Sequence, residues 1–351
     1  MSDPAHRETD RLIKIMERRL AREYRQAEKE IEAKLQDYLR RFEIKDRTWR
    51  RWVETGKKTE AEYRKWRTGQ FAMGQRWTEM RDALAKDYHN VNLIARSIVY
   101  GYMPEVYALN HNYATFEIER DSLLDTSYSL YTREAVEKIL RDDPSLLPPP
   151  GRDLSNRIAA GLDIRWNRQQ IQSVMIQGIL QGESIPDLAT RLAETVGDKN
   201  RKAAIRNART MATGAQNAGR LDSYYRAEGM GIKLRKQWMA TLDNRTRHTH
   251  RALDGESVPI NEPFSNDLMF PGDPEGDASE VWNCRCTMIA DIEGYETDLS
   301  DMSLRRNDKL GDMTYEEWKD EHAPVVSNPI DLPDRKRRAI RGSYIGEYRR
   351  K

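Results

Sequence analysis

Nine apolar side chains between residues 9 and 45 recur at steps of 3-4-4-3-4-4-3-4: Ile13, Met16, Leu20, Tyr24, Ala27, Ile31, Leu35, Tyr38 and Phe42. A mean step of about 3.6 is the signature of one stripe on a single long straight helix. Thr9 or Asp10 is the expected N-cap. The 3-4-4 order approaches an eleven-residue repeat, which disfavours a left-handed heptad coiled coil. The stripe is expected to pack within its own domain, with docking on neighbouring copies or a partner as the alternative.

Composition agrees with long solvated helices. Hydrophobic residues make up 38% of the 351 positions and charged ones 33%, with a mean hydropathy of −0.87, which is low for one compact globule. The length allows two or three domains. A net charge of +2 carries no global nucleic-acid signal, so any basic surface must be local. With no signal-peptide core and no 18-residue apolar run, a soluble protein made in the cytoplasm is expected, with no membrane partner.

Residues 46–110 are rich in aromatics. Tyr63, Trp66, Phe71, Trp77, Met80, Leu84, Tyr88, Val91, Ile94, Ile98 and Tyr102 track the faces of a helix pair, so they read as core more readily than as nucleic-acid stacking groups. Further helices are expected over 109–120 and 132–141, the second with Thr132 as a partial capping box. The prolines of 142–153 mark a boundary. Beyond it Ile171, Val174, Met175, Ile179 and Leu180 share a face. Ser184, Pro186 and Asp187 start another helix. Asp198 opens a long Ala-rich helix ended by Gly229 and Gly231.

The fold class expected is mainly α: long N-terminal helices (1–143), a Pro-rich linker (144–153), a helical lead-in (154–230), a small α+β unit (231–293) and a polar extension with a basic tail (294–351). Within the α+β unit, 232–242 and 285–292 read as strands and 255–260 as a short third. Residues 261–280 read as an irregular loop, long enough to be functional or pinned.

Chemistry concentrates between Trp238 and Cys286, which holds both cysteines and two of the six histidines. Three readings are open. His248, His250, Cys284 and Cys286 offer four N/S ligands, with zinc the candidate ion, although H-x-H and C-x-C are tighter than usual spacings. Asp243, His250 and Asp254 form a candidate acid/base set, with Arg245 or Arg247 steadying an anion. The favoured reading is structural, with no cofactor and no catalytic residue. Here Asp243 caps a helix beginning near Asn244, and Arg247 and His250 lie on its inner side. Asp243, Arg247, His250 and Asn283 would form a polar network closing the 261–280 loop.

The pattern W-x4-D-x-R-T-R-x2-H-x2-L-D-G followed by N-C-R-C resembles the Mu F-like minor head proteins of tailed phages, or head morphogenesis proteins. It is carried by Trp238, Asp243, Arg245, Thr246, Arg247, His250, Leu253, Asp254, Gly255, Asn283, Cys284, Arg285 and Cys286. The preceding helices resemble that family's helical lead-in, so the likeness covers roughly residues 170 to 292. Some relatives carry a Cys pair where this chain has Arg247 and His250, and many have Pro before N-C-R-C, where this chain has Val281-Trp282.

The resemblance implies a non-enzymatic virion protein of the head interior, made in the host cytoplasm during assembly. Its implied partners are the portal protein, the major capsid or scaffolding protein, and packaged double-stranded DNA. The tail residues Arg335, Lys336, Arg337, Arg338, Arg341, Arg349, Arg350 and Lys351 are opposed only by Glu347 from 335 onward. They are the candidate DNA-binding group. The rival class is a metal-dependent enzyme such as a nuclease built on the His/Cys cluster.

Overall fold

The computed structural model describes residues 3–149, 154–292 and 305–322. It is mainly helical, as expected. The N-terminal stripe forms α1 (Pro4–Glu54), a single helix of 51 residues. It starts earlier than its caps suggested: Asp3 accepts from the His6 N–H at 2.7 Å. Thr9 is buried and accepts instead from Asn110 at 2.9 Å. The buried line runs through Leu12, Met16, Leu20, Tyr24, Ile31, Leu35, Leu39 and Phe42. Ile13 and Tyr38 are only half-buried at its edges.

Helix α2 (Glu60–Met73) opens with the reciprocal Thr59/Glu62 capping box and folds back on α1. Trp66 lies between Phe42 and Trp49, at centroid distances of 5.5 and 5.0 Å. The aromatics of this region thus fill core, apart from Trp52, which stays exposed.

Helix α3 (Gln75–Ser122) absorbs what the sequence divides in two: residues 109–120 continue the same 48-residue helix through Pro104. A proline removes one backbone donor and usually ends a helix. Here its neighbours Met103, Val106 and Tyr107 are buried, and burial on both sides of the lesion holds the helix together. Ile94, expected inward, is 47% exposed, and Ala95 and Ile98 take the buried side. A two-residue strand, β1 (Leu124–Asp125), follows α3. Next, α4 (Arg133–Asp142) starts at Thr132, whose hydroxyl accepts from Ala135.

Short α5 (Leu154–Ala159) leads to α6 (Leu162–Leu180), which buries Ile171, Val174, Met175 and Ile179 but leaves Leu180 at 67% exposure. The Ser184/Asp187 box starts α7 (Ile185–Leu192). Asp198 opens the next helix as expected, but without a break before it. The chain passes from α7 through one π-type turn at 193–197 directly into α8 (Asp198–Gly229).

Helix α8 is the spine. Its small face lets α3 approach so closely that a Cβ on Gly219 would stand 2.5 Å from the Tyr107 carbonyl oxygen. One apolar core joins α1, α3, α6, α7 and α8.

The motif unit rests on α8 as a three-stranded antiparallel sheet in the order β3-β2-β4: β2 (Leu234–Met239), β3 (Ser257–Pro259) and β4 (Thr287–Ile292). Trp238 is paired with Met288 and Lys236 with Val258. Two short helices, α9 (His248–Ala252) and α10 (Ala278–Val281), complete it. Strand β5 (Arg305–Arg306) pairs with β1, and α11 (Tyr315–Glu321) buries Trp318 beside Glu119. The basic tail from Arg335 to Lys351 lies outside the described residues.

Candidate functional site

Alternation in β2 turns Leu234, Lys236 and Trp238 inward. Trp238 is the centre of a small separate core with Leu253, Phe264, Leu268, Val281, Cys284 and Cys286. Its ring meets Phe264 edge-on at 5.1 Å and His250 at 5.3 Å. The L-D-G motif turns the chain after α9. Gly255 takes φ +83°, a conformation glycine adopts without strain. The Asp254 carboxylate accepts from the Ala240 N–H at 2.8 Å.

The sequence-predicted residues fall into separate groups. Asp243 does not cap α9, whose N-cap is Arg247 with no side-chain bond. It receives Arg285 bidentately at 2.6 and 2.7 Å, and the Arg245 N–H at 2.8 Å. Thr246 hydrogen-bonds Asp243 and the Thr241 carbonyl, while exposed Arg245 lies 3.5 Å from the Asp243 carboxylate. Arg247 donates to the Trp282 carbonyl. Asn283 sits at φ +56° and donates its N–H to Thr210. The proposed network of Asp243, Arg247, His250 and Asn283 therefore does not form as one unit. Nor do Asp243, His250 and Asp254 form an acid/base set, because each has its own partners.

His250, Cys284 and Cys286 do converge. All three are buried, with one ligand atom from each lying within 4.8 Å of the others. His250 Nδ1 is 3.6 Å from Cys284 Sγ and 3.4 Å from Cys286 Sγ. On the far side of the ring, Nε2 lies 3.0 Å from Glu280 Oε2, off the line of a full hydrogen bond. His248 is exposed and outside this group. The hydrogen bond between the two sulfurs pushes the Cys286 thiol down, with help from His250, and pushes the Cys284 thiol up, with help from burial.

The Asp243 carboxyl is held below its ordinary value by the Arg285 hydrogen bonds first and by the Arg245 N–H next. A depressed folded-state value stabilises above the unfolded value of 3.8 and stops doing so as pH falls through the folded value. Asp243→Asn is therefore expected to melt below wild type at pH 7. The gap should narrow at pH 3, and thermal melts of both proteins at the two pH values check it.

Two features escape the motif reading. Lys236 is fully buried and donates to the Met269 carbonyl at 2.7 Å, pinning the 261–280 loop from beneath. Burial drives its ammonium down to about 7, with Asp273 and Glu262 opposing. The second is a polar stripe on α8 at Thr210, Thr213, Asn217, Arg220 and Tyr224, spaced 3-4-3-4. It binds the backbone of the returning strand: Thr210 takes the Asn283 N–H, and Thr213 donates to Cys284 O at 2.7 Å. Asn217 donates to Cys286 O and Pro271 O and accepts from Met288 N. Arg220 and Tyr224 donate to Met288 O. Helical periodicity of polar residues was the available signal.

A groove of about 600 Å³ opens beside α8. Among the described residues lining it are Arg157, Arg165, Lys199, Lys202 and Arg206, with Trp166 and no carboxylate. Arg206 stacks 4.0 Å over Trp282, next to N-C-R-C. Burial, then the neighbouring Arg157 charge, push the Arg206 guanidinium below its usual value.

Residues 169–289, which span this helical scaffold with its small sheet and N-C-R-C return, match the family described as Phage Mu protein F like protein. That span bears out the likeness seen over 170–292. Among individual proteins, the chain is 32% identical over 157 residues to minor head protein GP7 of Bacillus phage SPP1, covering 42% of this chain and 49% of that one. It is 33% identical over 177 residues to the NAD(+)--arginine ADP-ribosyltransferase EFV of Enterococcus faecalis, covering 49% and 35%. It is 28% identical over 144 residues to the uncharacterized protein YqbB of Bacillus subtilis, covering 39% and 46%. The chain spans between about a third and a half of the length of these relatives. No solved structure matches it. No helix among the described residues is long and apolar enough to cross a membrane.

Proposed function

We propose that this chain is a structural minor head protein of a tailed phage or prophage, acting in head morphogenesis. In this reading it sits in the head interior, next to the portal and the packaged double-stranded DNA. The likeness of its Mu F-like domain to a phage minor head protein carries the reading. The motif residues then have structural work: they fasten a small sheet to α8. A reconstruction of the prohead or virion tests the placement, and density for this chain only outside the head would overturn it.

Contact with DNA draws support from charge. The groove cations line one open surface, and the tail adds eight Lys/Arg over residues 335–351. Such groups bind phosphate and release counterions without reading bases. Full-length protein should bind unrelated duplexes equally. If four to six phosphates are neutralised, affinity should fall on the order of a hundredfold or more between 50 and 200 mM salt. A truncation ending at Leu332 and the R165E/K199E/K202E variant should each lower the salt slope, by about 1 for every phosphate no longer neutralised. Equal binding by all three would leave tail and groove as anchors for portal or capsid protein.

The duplexes are expected to stay intact with added Mg²⁺ or Mn²⁺. Cleavage that disappears in His250→Ala would replace this reading with the nuclease one. The aligned stretch is about a third of the Enterococcus protein.

A further inference from the structure

We propose that His250, Cys284 and Cys286 form a zinc-type metal site, with Glu280 orienting the histidine, and that this site locks the 261–280 loop and the start of β4 onto α9. Three ligand atoms already point at one spot. With Zn–S near 2.3 Å and Zn–N near 2.0–2.1 Å, a tetrahedral ion needs an S···N separation of about 3.6 Å. The two S···N separations are 3.6 and 3.4 Å. All three ligand atoms lie within 4.8 Å of one another.

The electrostatics agree. Binding a divalent cation releases one proton from each thiol to solvent and leaves the histidine neutral. Two thiolates and the dication then sum to zero charge, which suits a pocket walled by Trp238, Phe264 and Leu268. A histidine that ligates through Nδ1 carries its proton on Nε2, and Glu280 stands 3.0 Å from that atom. Carboxylates in this position fix the tautomer and orientation of metal-bound histidines.

The fourth corner falls to water. His248 is exposed, and the Arg247 guanidinium has no lone pair to offer. Between them the proposed ligands and Glu280 join α9, α10 and the lead into β4, the three pieces that enclose the long loop. This gives the tight H-x-H and C-x-C spacings a different meaning: one member of the first pair and both of the second ligate.

The test uses the full-length chain purified under reductant without chelator. Elemental analysis should find about one zinc per chain, and both thiols should resist a thiol reagent until a chelator is added. Cobalt exchanged into the site should show thiolate-to-cobalt charge transfer and the intense visible bands of a tetrahedral ion. His250→Ala, Cys284→Ser and Cys286→Ser should each retain less than a tenth of the metal, while His248→Ala keeps it all. Glu280→Gln should stay folded and bind zinc roughly 10–100-fold more weakly in competition with a chromophoric chelator. That variant and the cobalt spectrum decide the matter even if a cysteine variant fails to fold. A wild-type protein that takes up no zinc on reconstitution would overturn the proposal. So would a Cys284–Cys286 disulfide by mass, or full zinc in the C284S/C286S variant.

Discussion

Replacing Arg220 with Met should cost about 3–5 kcal/mol, the usual penalty for removing one partner of a buried ionic group. Arg220 is fully buried on α8. It donates to Asp3 at 2.6 Å, to Glu117 at 3.4 Å and to the Met288 carbonyl at 3.0 Å. Methionine fills similar volume, leaves the two carboxylates without the guanidinium, and leaves the Met288 carbonyl with the longer Tyr224 bond. Asp3 holds the short bond and Glu117 the long one, so burial dominates Glu117 and pushes its carboxyl up to about 7, with Arg220 opposing and Asp3 reinforcing.

The folded-state value of Glu117 lies above the free carboxyl's 4.5, so its contribution to stability is full below about 4.5 and is lost as pH rises through about 7. Removing the opposing guanidinium should raise that value further. The variant's deficit should therefore grow between pH 5 and 8, and E117Q/R220M should recover part of it. Urea midpoints across that range measure both. A deficit independent of pH would mean that Glu117 does not feel Arg220.

Asn217→Ala should destabilise by on the order of 3 kcal/mol, because each buried polar group left without a partner costs about 1–3 kcal/mol. The Asn217 amide donates to Pro271 O in the long loop and Cys286 O before β4, and its carbonyl accepts from Met288 N. Alanine orphans all three, and they belong to two segments that nothing else on α8 holds together in this way. The loop should loosen before the helices do. Limited proteolysis should cut within 261–280 at temperatures where α1 and α3 still show full helical ellipticity. Simultaneous loss of helix and loop would place the weak point elsewhere.

Local patterns read well. The Ser184/Asp187 box, the three strands and the irregular 261–280 stretch all rest on short-range chemistry, and each is found where expected. Errors arise where a distant partner decides. Ile13 and Leu12 are equivalent to periodicity, and only the helices opposite choose Leu12. Residues 109–120 read as a helix of their own, yet burial on both sides of Pro104 carries α3 through to Ser122.

Asp243 followed by Asn244 looks like a local cap, but Arg285, 42 residues onward, claims it. The α8 stripe was visible as spacing and hidden by the alanines around it. Of the metal quartet, chain order could not tell His248 from His250. Only the turn of α9 exposes one and buries the other.

The reach of Arg220 from the first turn of α1 to the Met288 carbonyl has a consequence for how the molecule is made. Asp3 and its partner are 217 residues apart, and β4 lies further still. At roughly 5–20 residues per second of synthesis, about 15–60 s pass between the appearance of the α1 cap and that of the strand that completes its surroundings. Until residue 229 has been made, α1 can form its backbone hydrogen bonds but has no complete α8 to cover its apolar stripe. Contacts of such large sequence separation form late, so the N-terminal helix waits on the ribosome for a fastening near the opposite end. A fusion or tag that displaces Asp3 would therefore register first as a loosened C-terminal sheet.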